Sequence, residues 1–139
     1  MNDIADIPNG IYTDTVLPAV GSNPGSAVIA HVLNPFSKSA YINSIALKPG
    51  ASIANAADNG NTWNLNVQLE AGTEIANKDL LSNNGPLAVG TDYAFTISGN
   101  AAQRLVATGH GLLVYEEDIG SAPAIVNGHV VRIHWLPRG

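Results

Sequence analysis

Residues 62–70 read Thr-Trp-Asn-Leu-Asn-Val-Gln-Leu-Glu, and every second side chain in this stretch up to Leu69 is apolar. Successive side chains of a β-strand point to opposite faces of the sheet, whereas an amphipathic helix places its apolar residues three and four positions apart. The stretch therefore predicts a strand with one buried face and one face in water. The buried face consists of Trp63, Leu65, Val67 and Leu69.

The same period of two recurs along the chain from residue 26 onward. Further strands are predicted at residues 26–33, 40–48, 74–77, 93–97, 104–107, 112–116 and 131–135. Turn residues separate them, as in Pro49-Gly50 and Asn84-Gly85-Pro86. Short strands at this spacing are typical of a β-sandwich or barrel, so the predicted fold class is all-β and antiparallel. Helix is confined to single turns, predicted at residues 76–81 and 100–105.

The alternation also predicts which side chains fill the core. The predicted core residues are Trp63, Leu65, Val67, Phe95, Ile97, Val131, Ile133 and Trp135. Both tryptophans could instead be stacking platforms for sugars, but each is in register with the apolar residues of its strand, which favours the core. The same interpretation is given to Tyr41, Tyr93 and Tyr115.

Residues 1–25 differ from the rest of the chain and are predicted to form an extended N-terminal arm, with a sandwich domain over residues 26–139. Prolines and glycines interrupt the segment, and proline fixes φ and removes a hydrogen-bond donor. The segment nevertheless carries apolar side chains that a solvated linker would avoid. These residues, predicted to pack on another subunit, are Ile4, Ile7, Ile11, Tyr12, Val16 and Leu17. The alternative is a terminal segment that contacts nothing.

The composition excludes several classes of function. Cysteine is absent, which excludes disulfide frameworks, thiolate zinc sites and cysteine nucleophiles. The net charge of −5 opposes binding to nucleic acid, and no apolar run reaches the roughly 18 residues of a membrane span. Only 12% of the residues are charged, while 15 are asparagine. A free monomer normally carries more surface charge, so the composition suits a subunit whose surface is covered by neighbours.

No motif in the chain predicts catalysis, a cofactor or a metal site. Nucleophile elbows, phosphate-binding glycine loops and zinc-hydrolase helices are all missing. The four histidines are interpreted as surface or interface residues, because no carboxylate stands at a telling spacing from them. The acidic run Glu116-Glu117-Asp118 is interpreted as a solvated strand end, since the spacing of a calcium-binding loop is absent.

Three segments between residues 58 and 136 carry a resemblance to a known class of proteins. They are Asp-Asn-Gly-Asn-Thr-Trp-Asn-Leu-Asn-Val at 58–67, Gly-Thr-Asp-Tyr-Ala-Phe-Thr-Ile-Ser-Gly-Asn-Ala-Ala at 90–102 and Leu-Val-Ala-Thr-Gly-His-Gly-Leu-Leu-Val at 105–114. A terminal alternating strand follows. This pattern resembles the small β-sandwich capsid decoration (cement) and head-spike proteins of tailed bacteriophages.

The resemblance implies a jelly-roll-like two-sheet sandwich with an N-terminal arm. It further implies a homotrimeric, non-enzymatic virion protein that is made in the host cytoplasm and binds the outer capsid surface. Its partner would be the major capsid protein, whose neighbouring subunits it would clamp together, with no cofactor, nucleic acid or membrane involved. The alternative function is a glycan-binding β-sandwich module of a phage fibre or spike.

Overall fold

The computed structural model describes residues 10–21, 26–53, 62–79, 87–119 and 128–138. Within these ranges the chain forms ten β-strands and one short 3₁₀ helix, with no α-helix. The strands are β1 (Ile11–Val16), β2 (Ala27–Leu33), β3 (Ala40–Lys48), β4 (Thr62–Leu69), β5 (Glu74–Asp79), β6 (Tyr93–Ala94), β7 (Thr96–Ile97), β8 (Leu105–Val106), β9 (Gly111–Ile119) and β10 (Val130–Pro137). The 3₁₀ helix, Ala101–Arg104, lies between β7 and β8.

The strands form two antiparallel sheets, which confirms the all-β, two-sheet sandwich. The first sheet has the order β1-β10-β3-β6, and β8 also pairs with β3. The second sheet has the order β2-β9-β4-β5-β7. Every pairing between these strands is antiparallel.

The core lies between the two sheets and is built from alternate residues of the long strands. Seven of the eight predicted core residues are buried, and the eighth, Ile97, is partly buried against them. Tyr93 also packs against the core. The prediction is wrong for Tyr41 and Tyr115, which are half-buried. Each stands between two buried neighbours on its strand, so the alternation turns its side chain to the outer face.

One side of the sandwich is closed by β6 and β7, which follow each other in the chain but join different sheets. The backbone N–H of Phe95, between these strands, donates to the carbonyl of Ile45 in the first sheet at 2.9 Å. The N–H of Ser98 donates to the carbonyl of Ile75 in the second sheet at 2.8 Å. The outermost strands on the opposite side are β1 and β2, and no strand of the described part pairs with their outer edges.

The predicted N-terminal arm is wrong over residues 11–17, which belong to the sandwich. β1 pairs with β10 along its whole length, from Ile11 opposite Trp135 to Val16 opposite Val130. Leu17 has no solvent exposure. Gly10, at φ 71°, allows the close approach of the Trp135 carbonyl, because a Cβ at this position would overlap that oxygen. The predicted arm residues Ile4 and Ile7 lie outside the described residues.

The two predicted helical turns have different outcomes. The turn at residues 100–105 is confirmed by the 3₁₀ helix, which Asn100 caps by accepting a hydrogen bond from the N–H of Ala102 at 3.1 Å. The turn at 76–81 is wrong over 76–79, which are part of β5. There, pairing with β4 satisfies the backbone hydrogen bonds that a helical turn would otherwise supply.

Candidate functional site

The open side of the sandwich, formed by β1 and β2, concentrates exposed apolar side chains. Five large apolar side chains are exposed in the described part, and four of them lie on these two strands. They are Tyr12 (62%), Val16 (65%), Val28 (47%) and Leu33 (59%). An edge strand also presents unpaired N–H and C=O groups, which can pair with another chain. This side, called the open edge below, combines apolar contact area with strand edges that pair with no other strand among the residues the structure describes.

The outer face of the first sheet beside the open edge carries an ordered polar cluster. The guanidinium of Arg132 donates to both carboxylate oxygens of Asp14, at 2.8 and 3.0 Å, from the directly opposite position on β10. This contact lowers the pKa of Asp14 below its usual value. Asp92 lies 3.8 Å from the same guanidinium. The cluster holds Asp14 ionised and fixes its side chain.

The rings of Tyr12 and His134 stack on the same face. Their centroids are 4.3 Å apart and their planes differ by 11°. The Arg132 guanidinium lies 5.7 Å from the centre of the Tyr12 ring, and the side-chain amide of Asn43 is 2.9 Å from His134 Nδ1. These contacts orient an exposed aromatic ring at the open edge before any partner binds.

A second polar cluster joins three distant parts of the chain at the end where β4 finishes. The Glu70 carboxylate lies 2.9 Å from Nε2 of His31 and 2.8 Å from Nδ1 of His110. The N–H of Gly111 also donates to Glu70, at 3.2 Å. His110 is the largest influence on the pKa of Glu70, followed by the Gly111 amide, and together they hold it below its usual value.

This cluster borders a pocket of about 250 Å³. Besides Glu70 and His110 its lining consists of Leu69, Ala71, Leu105, Val106, Ala107 and Gly111. Sequence reasoning missed the cluster, because the three side chains are about forty positions apart and meet only through the register of β2, β4 and β9. Within the five described ranges, no three His, Asp or Glu side chains are grouped so that they could hold a metal ion.

The interpretation of Glu116 as part of a solvated strand end is wrong. Its side chain is 1% exposed, because β9 continues its alternation from Leu112 and Val114 and turns Glu116 into the interior. Burial, followed by the nearby carboxylates of Asp118 and Glu117, raises the pKa of Glu116 to about 8. Glu117 has the opposite orientation and accepts a hydrogen bond from Asn66 at 2.9 Å.

His129 also departs from its interpretation as a surface or interface residue. It is 1% exposed, and its Nδ1 accepts the N–H of Gly50 at 3.1 Å. Burial lowers the pKa of His129, so the ring is held neutral. The ring of Trp63 lies 6.5 Å from it, centre to centre.

The remaining predicted site residues divide between core and surface. Among the predicted capsid-contacting residues, Leu17 is buried and Ile11 is partly buried in the chain's own core, whereas Tyr12 and Val16 are exposed. Trp63 and Trp135 are 4% and 0% exposed. Neither tryptophan can therefore be a stacking platform for sugars, and their assignment to the core is confirmed.

Comparisons of the chain with protein-family models, with curated proteins and with solved structures give no match. No helix in the described part of the chain is long and apolar enough to cross a membrane.

Proposed function

We propose that this chain is a non-enzymatic structural subunit that binds the outer surface of an assembled tailed-phage capsid. In this role it clamps neighbouring major capsid subunits together. A protein that binds the assembled shell but not its separated subunits stabilises the shell by mass action. The carrying observation is the open edge: four of the five large apolar side chains that are exposed in the described part lie on β1 and β2, the edge strands of the two sheets.

The open edge offers two kinds of contact to a shell protein. The outer edges of β1 and β2 pair with no strand of the described part. Each edge can therefore extend its sheet across an interface, which gives affinity with little dependence on side chains. Tyr12 and Val16 on β1, with Val28 and Leu33 on β2, supply the apolar area that drives association. The Asp14–Arg132 pair beside them adds a fixed polar element.

The composition supports a covered surface. The chain has 17 charged residues, six basic and eleven acidic, among 139. With so few charges, contact with neighbours requires little desolvation of ionised groups. A homotrimer with a jelly-roll-like strand order, located on the outside of the virion, is part of the proposal. Residues 1–9, with Ile4 and Ile7, are proposed to add a short arm contact.

Co-sedimentation of purified protein with empty capsids tests the proposal. Val16→Lys places a charge on the open edge without entering the core, because Val16 is 65% exposed. Val89→Lys is the matched control, since Val89 is 59% exposed and lies outside β1 and β2. The wild type and the Val89 variant should pellet with capsids, and the Val16 variant should stay in the supernatant.

Two results would contradict the proposal. One is wild-type protein that stays in the supernatant with capsids but pellets with host cells, which would favour the glycan-binding module. The other is equal capsid binding by the Val16 and Val89 variants, which would place the contact elsewhere on the sandwich.

A further inference from the structure

The pocket beside Glu70 combines an apolar lining with one ionised group. Its volume of about 250 Å³ lies below the roughly 300 Å³ at which pockets for drug-sized ligands begin. His110 and the amide of Gly111 hold the pKa of Glu70 below its usual value, so this carboxylate is negative at neutral pH. Such a pocket fits a short alkyl chain that ends in a cation. The apolar lining consists of Leu69, Ala71, Leu105, Val106 and Ala107.

The charge of Glu70 is accessible and has no permanent cation beside it. The groups that lower its pKa are His110, the Gly111 amide and His31, and no lysine or arginine of the described residues is among them. Both histidines carry a charge only when they are protonated. The Glu70 side chain is 34% exposed, so a ligand in the pocket can reach its carboxylate. The site therefore attracts a positively charged group.

The existing hydrogen bonds of Glu70 favour one kind of cation. A carboxylate has about four lone-pair positions. Oε1 of Glu70 accepts from Nδ1 of His110 at 2.8 Å and from the N–H of Gly111 at 3.2 Å, and Oε2 lies 2.9 Å from Nε2 of His31. A guanidinium binds a carboxylate through two parallel hydrogen bonds that use both oxygens, whereas an ammonium is a compact charge that one acceptor position can hold. With three positions engaged by described residues, Glu70 favours the ammonium group of a lysine over an arginine.

The pocket adjoins the open edge. Gly111, which lines the pocket, pairs directly with Leu33 at the end of β2. Leu33 is one of the four exposed apolar side chains of the open edge, and His31 on the same strand contacts Glu70. A protein that packs on this end of β2 therefore lies next to the pocket and can extend a side chain into it.

We propose that this pocket binds a lysine side chain of the protein that occupies the open edge. The alkyl chain of the lysine packs against the apolar lining, as the stems of long charged side chains do on apolar surfaces. Its ammonium group donates a charge-assisted hydrogen bond to Glu70. That this protein is the major capsid protein rests on the proposed function, whereas the preference of the pocket for an alkylammonium group does not.

NMR titration of the full chain with two small compounds tests the pocket. One is Nα-acetyl-lysine N-methylamide, and the other is its norleucine counterpart, which has the same straight chain without the ammonium group. At pH 7.5 and constant ionic strength, the lysine compound should shift the amide signals of Ala71, Ala107 and Gly111 saturably, with a Kd of about 10⁻³–10⁻² M for so small a ligand. The norleucine compound should bind at least about fivefold more weakly, because it cannot form the charge-assisted hydrogen bond.

Three variants separate the charge of the pocket from its shape. Glu70→Gln should weaken binding of the lysine compound at least about fivefold and leave the Kd of the norleucine compound unchanged. Glu74→Gln is the matched control, because it removes the same charge from an exposed side chain that does not line this pocket, and it should bind both compounds as the wild type does. Ala107→Leu fills the pocket from an exposed position and should abolish binding of both.

Two results of the titrations would overturn the proposal. One is equal binding of the lysine and norleucine compounds to the wild type, because the carboxylate would then contribute nothing to recognition. The other is an equal loss of affinity in Glu70→Gln and Glu74→Gln, because the lysine compound would then respond only to the net charge of the protein.

Co-sedimentation with empty capsids tests the source of the lysine. Glu70→Gln should raise the Kd for capsids at least about fivefold relative to the wild type and to Glu74→Gln. If the wild type and Glu70→Gln pellet equally well, no lysine of the shell occupies the pocket and the proposal is overturned. If the wild type itself stays in the supernatant, the proposed function fails, and the titrations still decide whether the pocket binds a lysine side chain.

Discussion

The backbone N–H of Leu17 donates to the carbonyl of His129 at 2.7 Å, and the Leu17 side chain has no solvent exposure. Leu17 follows β1 and His129 precedes β10, so this bond extends the antiparallel pairing of the two strands by one step. The segment that looks like an arm in the sequence is thereby part of the first sheet. Its inward side chains stabilise the chain's own fold, and its outward side chains remain available to a partner.

Truncation of Leu17 should destabilise the isolated protein. Leu17→Ala leaves a cavity in a fully buried site, for which the expected loss in the free energy of unfolding is about 2–5 kcal/mol. The control Val16→Ala, at a 65% exposed position, should change it by no more than about 0.5 kcal/mol. Urea unfolding followed by tryptophan fluorescence measures both. Equal effects of the two variants would contradict the packing of residues 11–17 in the sandwich and would favour a free arm.

The hydrogen bond between the strands β1 and β10 should contribute measurably to stability. The indole N–H of Trp135, whose side chain is fully buried, donates to the hydroxyl of Thr13 at 2.8 Å. Thr13→Val keeps the shape but leaves a buried donor unsatisfied, at an expected loss of about 1–3 kcal/mol in the free energy of unfolding. Thr13→Ser retains the hydroxyl and should lose less. If the valine variant is as stable as the wild type in urea unfolding, the bond contributes nothing.

Glu116 should make stability fall as the pH rises. Folded Glu116 keeps its proton up to about pH 8, whereas the unfolded chain loses it near the ordinary value of 4.5. Between these two pH values the folded state binds more protons than the unfolded chain. The contribution of Glu116 to the free energy of unfolding therefore declines by up to about 1.4 kcal/mol per pH unit and is lost above pH 8. Denaturant unfolding from pH 5 to pH 9 measures this slope.

Glu116→Gln should remove that slope, because the amide does not titrate. Glu117→Gln should keep it, since the Glu117 side chain lies on the other face of the strand. The difference between the two variants cancels the titration of other groups. Parallel stability curves for wild type and Glu116→Gln would show that the carboxyl group is ionised in the folded state.

The contacts of Glu70 with His110, Gly111 and His31 should lower the pKa of its carboxyl group. The pKa of Glu70 should lie below its ordinary value of 4.5, and His110→Ala should raise it more than His31→Ala does, because His110 is the larger influence. Any stability that the ionised Glu70 contributes is present above pH 4.5. It is lost as the pH falls through the pKa that Glu70 has in the folded protein. Carbon-13 NMR titration of the Glu70 side chain measures its pKa in the wild type, in His110→Ala and in His31→Ala. A wild-type midpoint at or above 4.5 would contradict the cluster.

The sequence predicts strands wherever the two faces differ in polarity. The stretches 62–69 and 130–137 alternate clearly, and their buried faces are as predicted. In β1 the polarity of the side chains does not distinguish the inward face from the outward face, because Thr13 points inward while Tyr12 and Val16 point to solvent. The hydroxyl of Thr13 is satisfied by Trp135, more than a hundred residues away. That partner is visible only once the strands are paired.

Glu116 shows a different reason for a missed site residue. The alternation of Leu112 and Val114 already predicts an inward position for Glu116, but its residue type argues for solvent. The alternation of side chains along β9, and not the polarity of the residue, sets the inward orientation of the Glu116 carboxyl group. The contacts of Glu70 could not be predicted at all, since they depend on the register between β2, β9 and β4.

Cryo-electron microscopy of empty capsids saturated with the purified chain tests the central claim most directly. The proposal predicts density for the sandwich on the outer surface of the shell, with β1 and β2 facing the major capsid protein and with threefold arrangement of the subunits. Capsids that carry no added density would contradict it. So would bound sandwiches whose open edge faces solvent.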